Sequence, residues 1–335
     1  MYIIYAILAF SILIIVHELG HFIVAKLNGI KVEEFSIGMG PKLFGVKGKE
    51  TEYNLRVLPF GGFVKMLGEE EQVKDKRSFS SKSPIQKILV IGAGAFMNLV
   101  LGIVIFTILC MNNGYAETKI GEVANGTPAQ EVGLQIGDEL IRLDGKKINT
   151  VNDLTTGIAM AKGNPIKLQV SRGGEKITKE IIPAVTEDGG LRIGIAFEQV
   201  KNPTLLQSFG HSFLEIKSLI SQTFTALKSI VTGEANLKTD VGGPITIIKM
   251  SGQMAKTGIW NLMWFMAFLS VQLAVFNLLP LPALDGGLIF IELIQMTIRK
   301  KIPAVYIERL NYIGIMLLMG LMVIVTVKDL IFPIL

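Results

Sequence analysis

Cysteine, histidine and charge are all scarce in this chain. Cys110 is the one cysteine among 335 residues, which excludes an internal disulfide framework and any zinc site built from several thiolates, so histidine, aspartate and glutamate remain as possible metal ligands. Charged residues make up 18% of the sequence against 50% hydrophobic, and the mean hydropathy is +0.50. Soluble domains carry about 25% charged residues, so several membrane-spanning helices are expected instead. The net charge of +5 is not gathered into a basic stripe interleaved with aromatics, which excludes a nucleic-acid partner. The apolar N-terminus lacks the basic start and small-residue cleavage site of a secretory signal, and is expected to be retained as a helix.

Four apolar stretches read as spans: residues 1–27, 83–112, 255–287 with a broken end, and 305–335. Between Lys26 and Lys87 there are twelve Lys or Arg against eight Asp or Glu, and Arg299, Lys300, Lys301 and Arg309 make another basic connection within and just after residues 288–304. From Asn113 to Met254 the count is fifteen against fifteen. Basic connections stay on the cytoplasmic side. The middle segment and both termini are therefore expected outside, and the basic connections inside.

Residues 28–82 change period. Tyr53, Leu55 and Val57 alternate with Glu52, Asn54 and Arg56, and an earlier strand candidate, Val32 to Ile37, runs into Gly38-Met39-Gly40-Pro41, while Pro59-Phe60-Gly61-Gly62 punctuates the second strand. The pattern predicts a glycine-punctuated β-hairpin array lying against or dipping into the bilayer, where irregular backbone is tolerated only if protein or a watery cavity satisfies it. A plain cytoplasmic hairpin is the alternative. Residues 69–77 mix acids and bases and read as a solvated loop. In the second span, Gly92-Ala93-Gly94-Ala95-Phe96-Met97-Asn98 predicts close helix packing over small residues, with Asn98 bonding across the bundle.

Residues 113–200 look soluble. Ile120-Gly121-Glu122-Val123, Thr127-Pro128-Ala129, Val132-Gly133-Leu134, Ile136-Gly137-Asp138-Glu139-Leu140-Ile141 and Asp144-Gly145 resemble a PDZ domain of the bacterial protease type, a module that grips extended peptide by strand addition. Gly189 to Val200 would be its trailing strand. In residues 201–254, Phe209, Phe213, Ile216, Ile220, Phe224, Leu227 and Val231 recur at helical steps, predicting an amphipathic helix that packs under the soluble module or rests on the membrane. His211 on it reads as an ordinary surface histidine. Val241-Gly242-Gly243-Pro244-Ile245 turns the chain back toward the bilayer.

The chemistry is concentrated in His17-Glu18-Leu19-Gly20-His21. On a helix, positions four apart share a face, so the two imidazoles can close on one metal with Glu18 beside them. From Met1 to Val16 there is no charge. A carboxylate within such a span costs about 2.5–3.5 kcal/mol to insert and is functional by default; the bland alternative is a membrane-surface helix carrying two unconnected histidines. Two imidazoles leave zinc short of a third protein ligand. Asp285 and Glu292 are the two acids between Lys256 and Arg299, and Asp285 follows the helix break at Pro280-Leu281-Pro282, so it is the best third ligand; a local helix cap is its bland alternative. Zinc held there lowers the pKa of water toward 7, and Glu18 can take the proton and pass it to a departing amine, which makes amide hydrolysis the favoured reaction. A metal transporter using the same residues would need inward acids or histidines on other helices, and helices two and four offer almost none, Lys328 and Asp329 lying at the far end. The intact histidine, glutamate and aspartate set argues against a PDZ scaffold with a dead site.

HELGH at 17–21, GMGP at 38–41, PFGGFVKMLGE at 59–69, the glycine-rich segment ending at Asn98, VGGPI at 241–245 and FNLLPLPALDGG at 276–287 together resemble the site-2 proteases, in the bacterial regulator-of-sigma-E protease branch. The resemblance covers nearly the whole chain in the family's order. It implies one Zn2+ held by His17, His21 and Asp285, with Glu18 as catalytic base, and a substrate-binding set of Asn277, Gly38, Gly40, Pro280 and Pro282. It implies a polytopic α-helical membrane protein with four transmembrane helices, a membrane-reentrant β-hairpin region and one extracytoplasmic PDZ (α+β) domain, in the bacterial inner membrane. The implied partners are single-span membrane proteins, such as pre-cleaved anti-sigma factors or remnant signal peptides, besides peptide at the PDZ domain and the lipid bilayer. One PDZ module stands here where the best-known member has two.

Overall fold

The first apolar stretch carries only two charges, Glu18 and Lys26, and no proline, and it forms one helix, α1 (Tyr2–Leu27), in a computed structural model that describes residues 2–69, 73–186 and 189–333. The helix stops at Gly29, whose φ of +66° takes the left-handed turn common after a helix, while the Asn28 side chain donates to the Val24 carbonyl at 2.8 Å. Strands β1 (Val32–Lys47) and β2 (Glu52–Met66) follow as an antiparallel hairpin. They are longer than the short strands expected. Gly38 and Gly40 in β1 and Gly61 in β2, at φ +84°, +86° and +86°, bend the strands rather than ending them. The hairpin is thereby folded on itself, and Phe35 has Val64 and Tyr53 as separate partners. The solvated loop expected over 69–77 includes residues 70–72, which lie outside the described residues.

Helix α2 (Pro84–Asn113) leads to β3 (Tyr115–Val123), the one-turn α3 (Pro128–Glu131), β4 (Glu139–Leu143), β5 (Lys146–Lys147), α4 (Val151–Met160), β6 (Ile166–Arg172), β7 (Glu175–Ile181), β8 (Ala184–Val185), β9 (Leu191–Arg192) and β10 (Ile195–Val200). The remaining helices are α5 (Leu205–Val231), α6 (Pro244–Thr257), α7 (Ile259–Asn277), α8 (Asp285–Ile298) and α9 (Ala304–Ile331). Four helical stretches are long and apolar enough to cross a membrane: Ile7–Leu27, Pro84–Asn113, Ile259–Asn277 and Val305–Ile331. The chain divides into two compact units, Met1–Gly102 with Lys228–Leu335, and Ile103–Leu227.

The Ile103–Leu227 unit is built around a sheet of order β10-β3-β4-β6-β7, with β5 paired to β4. Ile120, Leu140, Leu154, Ile166, Leu168 and Val170 fill its apolar core. Arg172 grips the buried Asp138 with two bonds of 2.7 and 2.8 Å; that hydrogen bonding outweighs burial and holds the carboxyl below the usual carboxylate range. Helix α5 packs on this unit through a face centred on its serines and shared by Ile216 of the apolar stripe, and leaves the phenylalanines of that stripe exposed, as a helix resting on a membrane would. Ser208, Ser212, Ile216, Ser218 and Leu219 are buried, whereas Phe209, Phe213 and Phe224 are exposed. The hydroxyls have partners that aromatics could not serve: Ser212 meets Thr107 at 2.8 Å, and Ser218 donates to Asp153 at 2.5 Å. His211 is not a plain surface residue either, since its ring stacks on Tyr115 at 4.1 Å and its Nε2 lies 3.3 Å from Glu215.

In the other unit, the turn at Gly242-Gly243-Pro244 starts α6, a helix beyond those the sequence pattern marked. Its first-turn N–H groups are capped from α9, because the buried Asp329 carboxylate accepts from Gly243 at 3.0 Å and from Thr246 at 2.9 Å. A side chain at Gly243 would strike Val325 and Asp329. Under the hairpin, Ala25, Ile30, Val32, Phe35, Val64, Met66 and Val90 form a small apolar core that fixes β1 and β2 against α1 and α2. At the hairpin turn, Glu50 is hydrogen-bonded by Arg77 and by Lys26, the latter at 2.5 Å, and these two cations pull its carboxyl down to about 2.

Candidate metal centre

Helical spacing puts His17 and His21 on one face of α1, and their Nε2 atoms stand 3.2 Å apart. Asp285 reaches the same point from the first turn of α8. Its Oδ2 is 3.2 Å from His17 Nε2 and 3.7 Å from His21 Nε2, and that oxygen is buried with no hydrogen-bond donor of its own. Three donor atoms so placed could hold one metal ion. Tetrahedral zinc with bonds of ~2.0–2.2 Å sets its ligand atoms about 3.3–3.6 Å apart, so the observed triangle fits the ion.

The second nitrogen of each imidazole is also accounted for. His21 Nδ1 lies 2.9 Å from the Val90 carbonyl, which can only accept, so the ring proton sits there and Nε2 keeps its lone pair for a metal. His17 Nδ1 lies 3.2 Å from the carboxamide of the fully buried Asn98, whose Oδ1 has no other partner. With His17 Nε2 directed at a metal, Nδ1 carries the proton, and a half-turn of the Asn98 carboxamide supplies Oδ1 as its acceptor. Ser270 fixes Asn98 from behind by donating to its backbone carbonyl at 2.8 Å.

Helix α2 comes this close because of two glycines. A Cβ at Gly20 of α1 would lie 2.3 Å from the Ala93 carbonyl oxygen, so the two backbones are in contact. A Cβ at Gly94 would lie 2.5 Å from His21 Nε2 and 2.6 Å from His17 Nε2, in the space between the imidazoles where an ion belongs. The helix-two glycines were expected to serve packing; Gly94 does more, since it keeps the space between the two imidazoles open. The i, i+4 spacing of Gly94 and Asn98 was the available signal.

Glu18 points toward the hairpin. Its side chain lies against β2, where a Cβ at Gly62 would lie 3.3 Å from its Cγ. Asp285 is presented by a tightly folded turn. Side chains at Gly286 or Gly287 would collide with the carbonyls of Leu279 and Leu281, which lie directly over the first turn of α8. Asn277 ends α7, half-buried, at the start of this turn. Pro280 is exposed, and Pro282 is covered by α9, where a Cβ at Gly314 would come within 2.6 Å of it. Gly38 and Gly40 face Leu58 at the bend of the hairpin. In the Ile103–Leu227 unit, a groove of about 600 Å³ runs between α4 and the β9–β10 segment, lined by Leu154, Thr155, Ile158, Ile193, Ile195 and Phe197.

Apolar helices able to span a membrane, joined to a cluster of two histidines and an aspartate, define a class, that of membrane-helix proteins with a candidate zinc centre. Within that class the family is specific: the model of peptidase family M50 matches residues 5–321, and the chain belongs to this family, the site-2 proteases. A protein of Clostridium perfringens named as a zinc metalloprotease is 66% identical over 335 residues, all of both chains. The zinc metalloprotease RasP of Geobacillus kaustophilus is 29% identical, over 96% of each chain. Among solved structures, the PDZ domain of the SdrC-like protein of Listeria monocytogenes matches 25% of this chain and 88% of that one, at 24% identity and a TM-score of 0.23. The chain is thus a zinc metalloprotease, with zinc as its cofactor.

Proposed function

We propose that this zinc metalloprotease cuts peptide bonds inside the transmembrane segments of other membrane proteins. The observation that carries the proposal is the placement of the chemistry. His17, Glu18 and His21 lie within the candidate span Ile7–Leu27, and Gly94 and Asn98 lie within Pro84–Asn113. His17, His21 and Asp285 are the metal ligands in this reading. Zinc, when bound, lowers the pKa of water toward 7 and polarises the scissile carbonyl. Glu18 accepts the proton of the attacking water and delivers it to the departing amine.

A helical peptide bond is hydrogen-bonded and shielded, so the substrate must be unwound before attack. The part of β2 from Gly62 to Met66 pairs with β1 on one side and lies beside Glu18, so a substrate strand added along this hairpin would be held extended at the base. The bends at Gly38 and Gly40 let the hairpin re-enter the bilayer beside α1, and Asn277, Pro280 and Pro282 border the substrate from the opposite side. Single-span proteins already clipped outside the membrane, anti-sigma factors or remnant signal peptides, are the substrates of this reading, with a peptide end held in the groove beside α4. The charge distribution orients the chain in a bacterial inner membrane with the PDZ domain and both termini extracytoplasmic and the metal toward the cytoplasmic side. A metal transporter is disfavoured, because among the described residues no second cluster of histidine and acidic side chains continues the path.

The test is cleavage of a tagged single-span substrate in proteoliposomes. Glu18→Gln is expected to keep its zinc and to lose cleavage by ~10²–10⁴-fold. Wild-type turnover by that variant contradicts the assignment of the base, and cleavage restricted to substrates outside the bilayer contradicts the intramembrane reading.

A further inference from the structure

Four described residues other than glycine have positive φ: Asp144, Lys162, Ala283 and Arg299. Three have ordinary local reasons. Asp144 precedes Gly145 in the tight turn between β4 and β5, Lys162 follows the end of α4, and Arg299 closes α8. Ala283, at φ +71°, is the third residue of a β-turn from Leu281 to Leu284, with Pro282 before it and the Leu284 N–H donating to the Leu281 carbonyl at 3.3 Å, a position that glycine usually fills. It lies two residues before Asp285, in the turn that carries the carboxylate to the histidines. An alanine in that position is disfavoured by its own Cβ, so the turn gains from a group outside it that holds this conformation.

The holding group comes from α9. Asn311 Oδ1 accepts from the Ala283 backbone N–H at 3.3 Å, a contact between residues 28 apart in sequence. One helical turn further on, Gly314 is buried against Pro282, where a Cβ would lie 2.6 Å from both the Pro282 Cβ and its carbonyl carbon. Tyr312, Ile313 and Ile315 between and beside them are exposed. Asn311 and Gly314 thus form a single seat on an otherwise outward-facing stretch of helix, and what they seat is the turn Pro282-Ala283.

We infer that Asn311 is a positioning residue for the metal site, acting through Ala283 to fix the direction in which Asp285 enters it. The inference rests on the reading of Asp285 as a metal ligand. It predicts a specific genetic relation. Glycine adopts φ +71° without a Cβ conflict, so a chain with glycine at 283 depends less on the Asn311 bond.

The experiment measures Co²⁺ affinity and the visible absorption of the cobalt-loaded full-length chain in detergent micelles. Asn311→Ala is expected to weaken cobalt binding by ~10–100-fold and to alter the absorption bands, as loss of groups that orient ligands does. Asn311→Asp, which keeps an acceptor oxygen, is expected to stay within about threefold of wild type, a small change on the same scale. In an Ala283→Gly background the effect of Asn311→Ala is expected to shrink to a few-fold. Wild-type cobalt binding by Asn311→Ala, or an equal loss in both backgrounds, overturns the inference. Should Asn311→Ala not fold alone, recovery of a folded, cobalt-binding Ala283→Gly/Asn311→Ala chain supports it, and a double variant as damaged as the single one overturns it. Asp285→Ala separates the two claims. If it binds cobalt like wild type, the ligand reading itself fails; if it loses cobalt while Asn311→Ala does not, only the role of Asn311 fails.

Discussion

Each of the two units of this protein is stabilised internally by different means. The Ile103–Leu227 unit has a core of large aliphatic side chains, with Ile120, Leu140, Ile166, Leu168 and Val170 at 2% exposure or less. In the unit that holds the candidate metal centre, many of the closest contacts are made by small or polar groups: Gly20 on Ala93, Gly94 over the imidazoles, Asn98 on Ser270, Gly286 under Leu279, and Asp329 on Gly243. Apolar burial drives the first, because water surrounds its alternatives. Among helices in lipid, where hydrocarbon solvates leucine as well as a neighbouring helix does, close backbone approach and interhelical hydrogen bonds provide the specificity. One added methyl group is therefore expected to matter more in the metal-bearing unit, and one removed aliphatic side chain more in the other.

Gly94→Ala is the sharpest way to break this contrast. The new methyl would stand between the two imidazoles, and zinc content of the purified chain is expected to fall to background while the protein still accumulates in membranes. Gly92→Ala is the control, since its methyl would meet only Ile289 at an ordinary 3.7 Å, and it is expected to retain zinc. Leu168→Ala acts on the other side of the comparison. It is expected to destabilise the Ile103–Leu227 unit by about 2–5 kcal/mol, read from its thermal or denaturant transition, and to leave zinc content intact. A smaller effect follows from Asp138. Its folded carboxyl titrates below its usual range because Arg172 bonds it, so its contribution to stability is complete above the unfolded carboxylate range and disappears as pH falls through the lower folded value. Unfolding followed between pH 5 and pH 2 is expected to show this acid loss, and Asp138→Asn to flatten it.

The same difference decides what was readable in the residues alone. His17 and His21 are four apart on one helix, and local geometry suffices to pair them. Asp285 could be nominated because acids are so rare in the apolar stretch around it, although no local rule brings it to α1. The strand-rich segment from Tyr115 to Val200 announced itself through its glycine turns and alternating residues. The hairpin proved harder, because the glycines of Gly38-Met39-Gly40 read as strand ends, whereas tertiary pairing lets the strands continue through them. For helix α5 the pattern left two placements open, under the soluble segment or on the membrane; its serines face the unit, where Thr107 and Asp153 are their partners, and its phenylalanines are left exposed. Asn311 lies beyond sequence reasoning of this kind, since an asparagine under a turn acquires its meaning only from residues tens of positions away, and the spacing of Gly94 and Asn98 marks a shared helix face without saying what that face meets.

Zinc K-edge X-ray absorption on the purified chain and on Asp285→Ala tests the central claim most directly. The account predicts one zinc per wild-type chain with two imidazoles and a carboxylate oxygen at ~2.0–2.2 Å, and loss of the metal or of that oxygen in the variant. A wild-type spectrum with sulfur or with three imidazoles, or a ligand shell that is the same in Asp285→Ala, would contradict it.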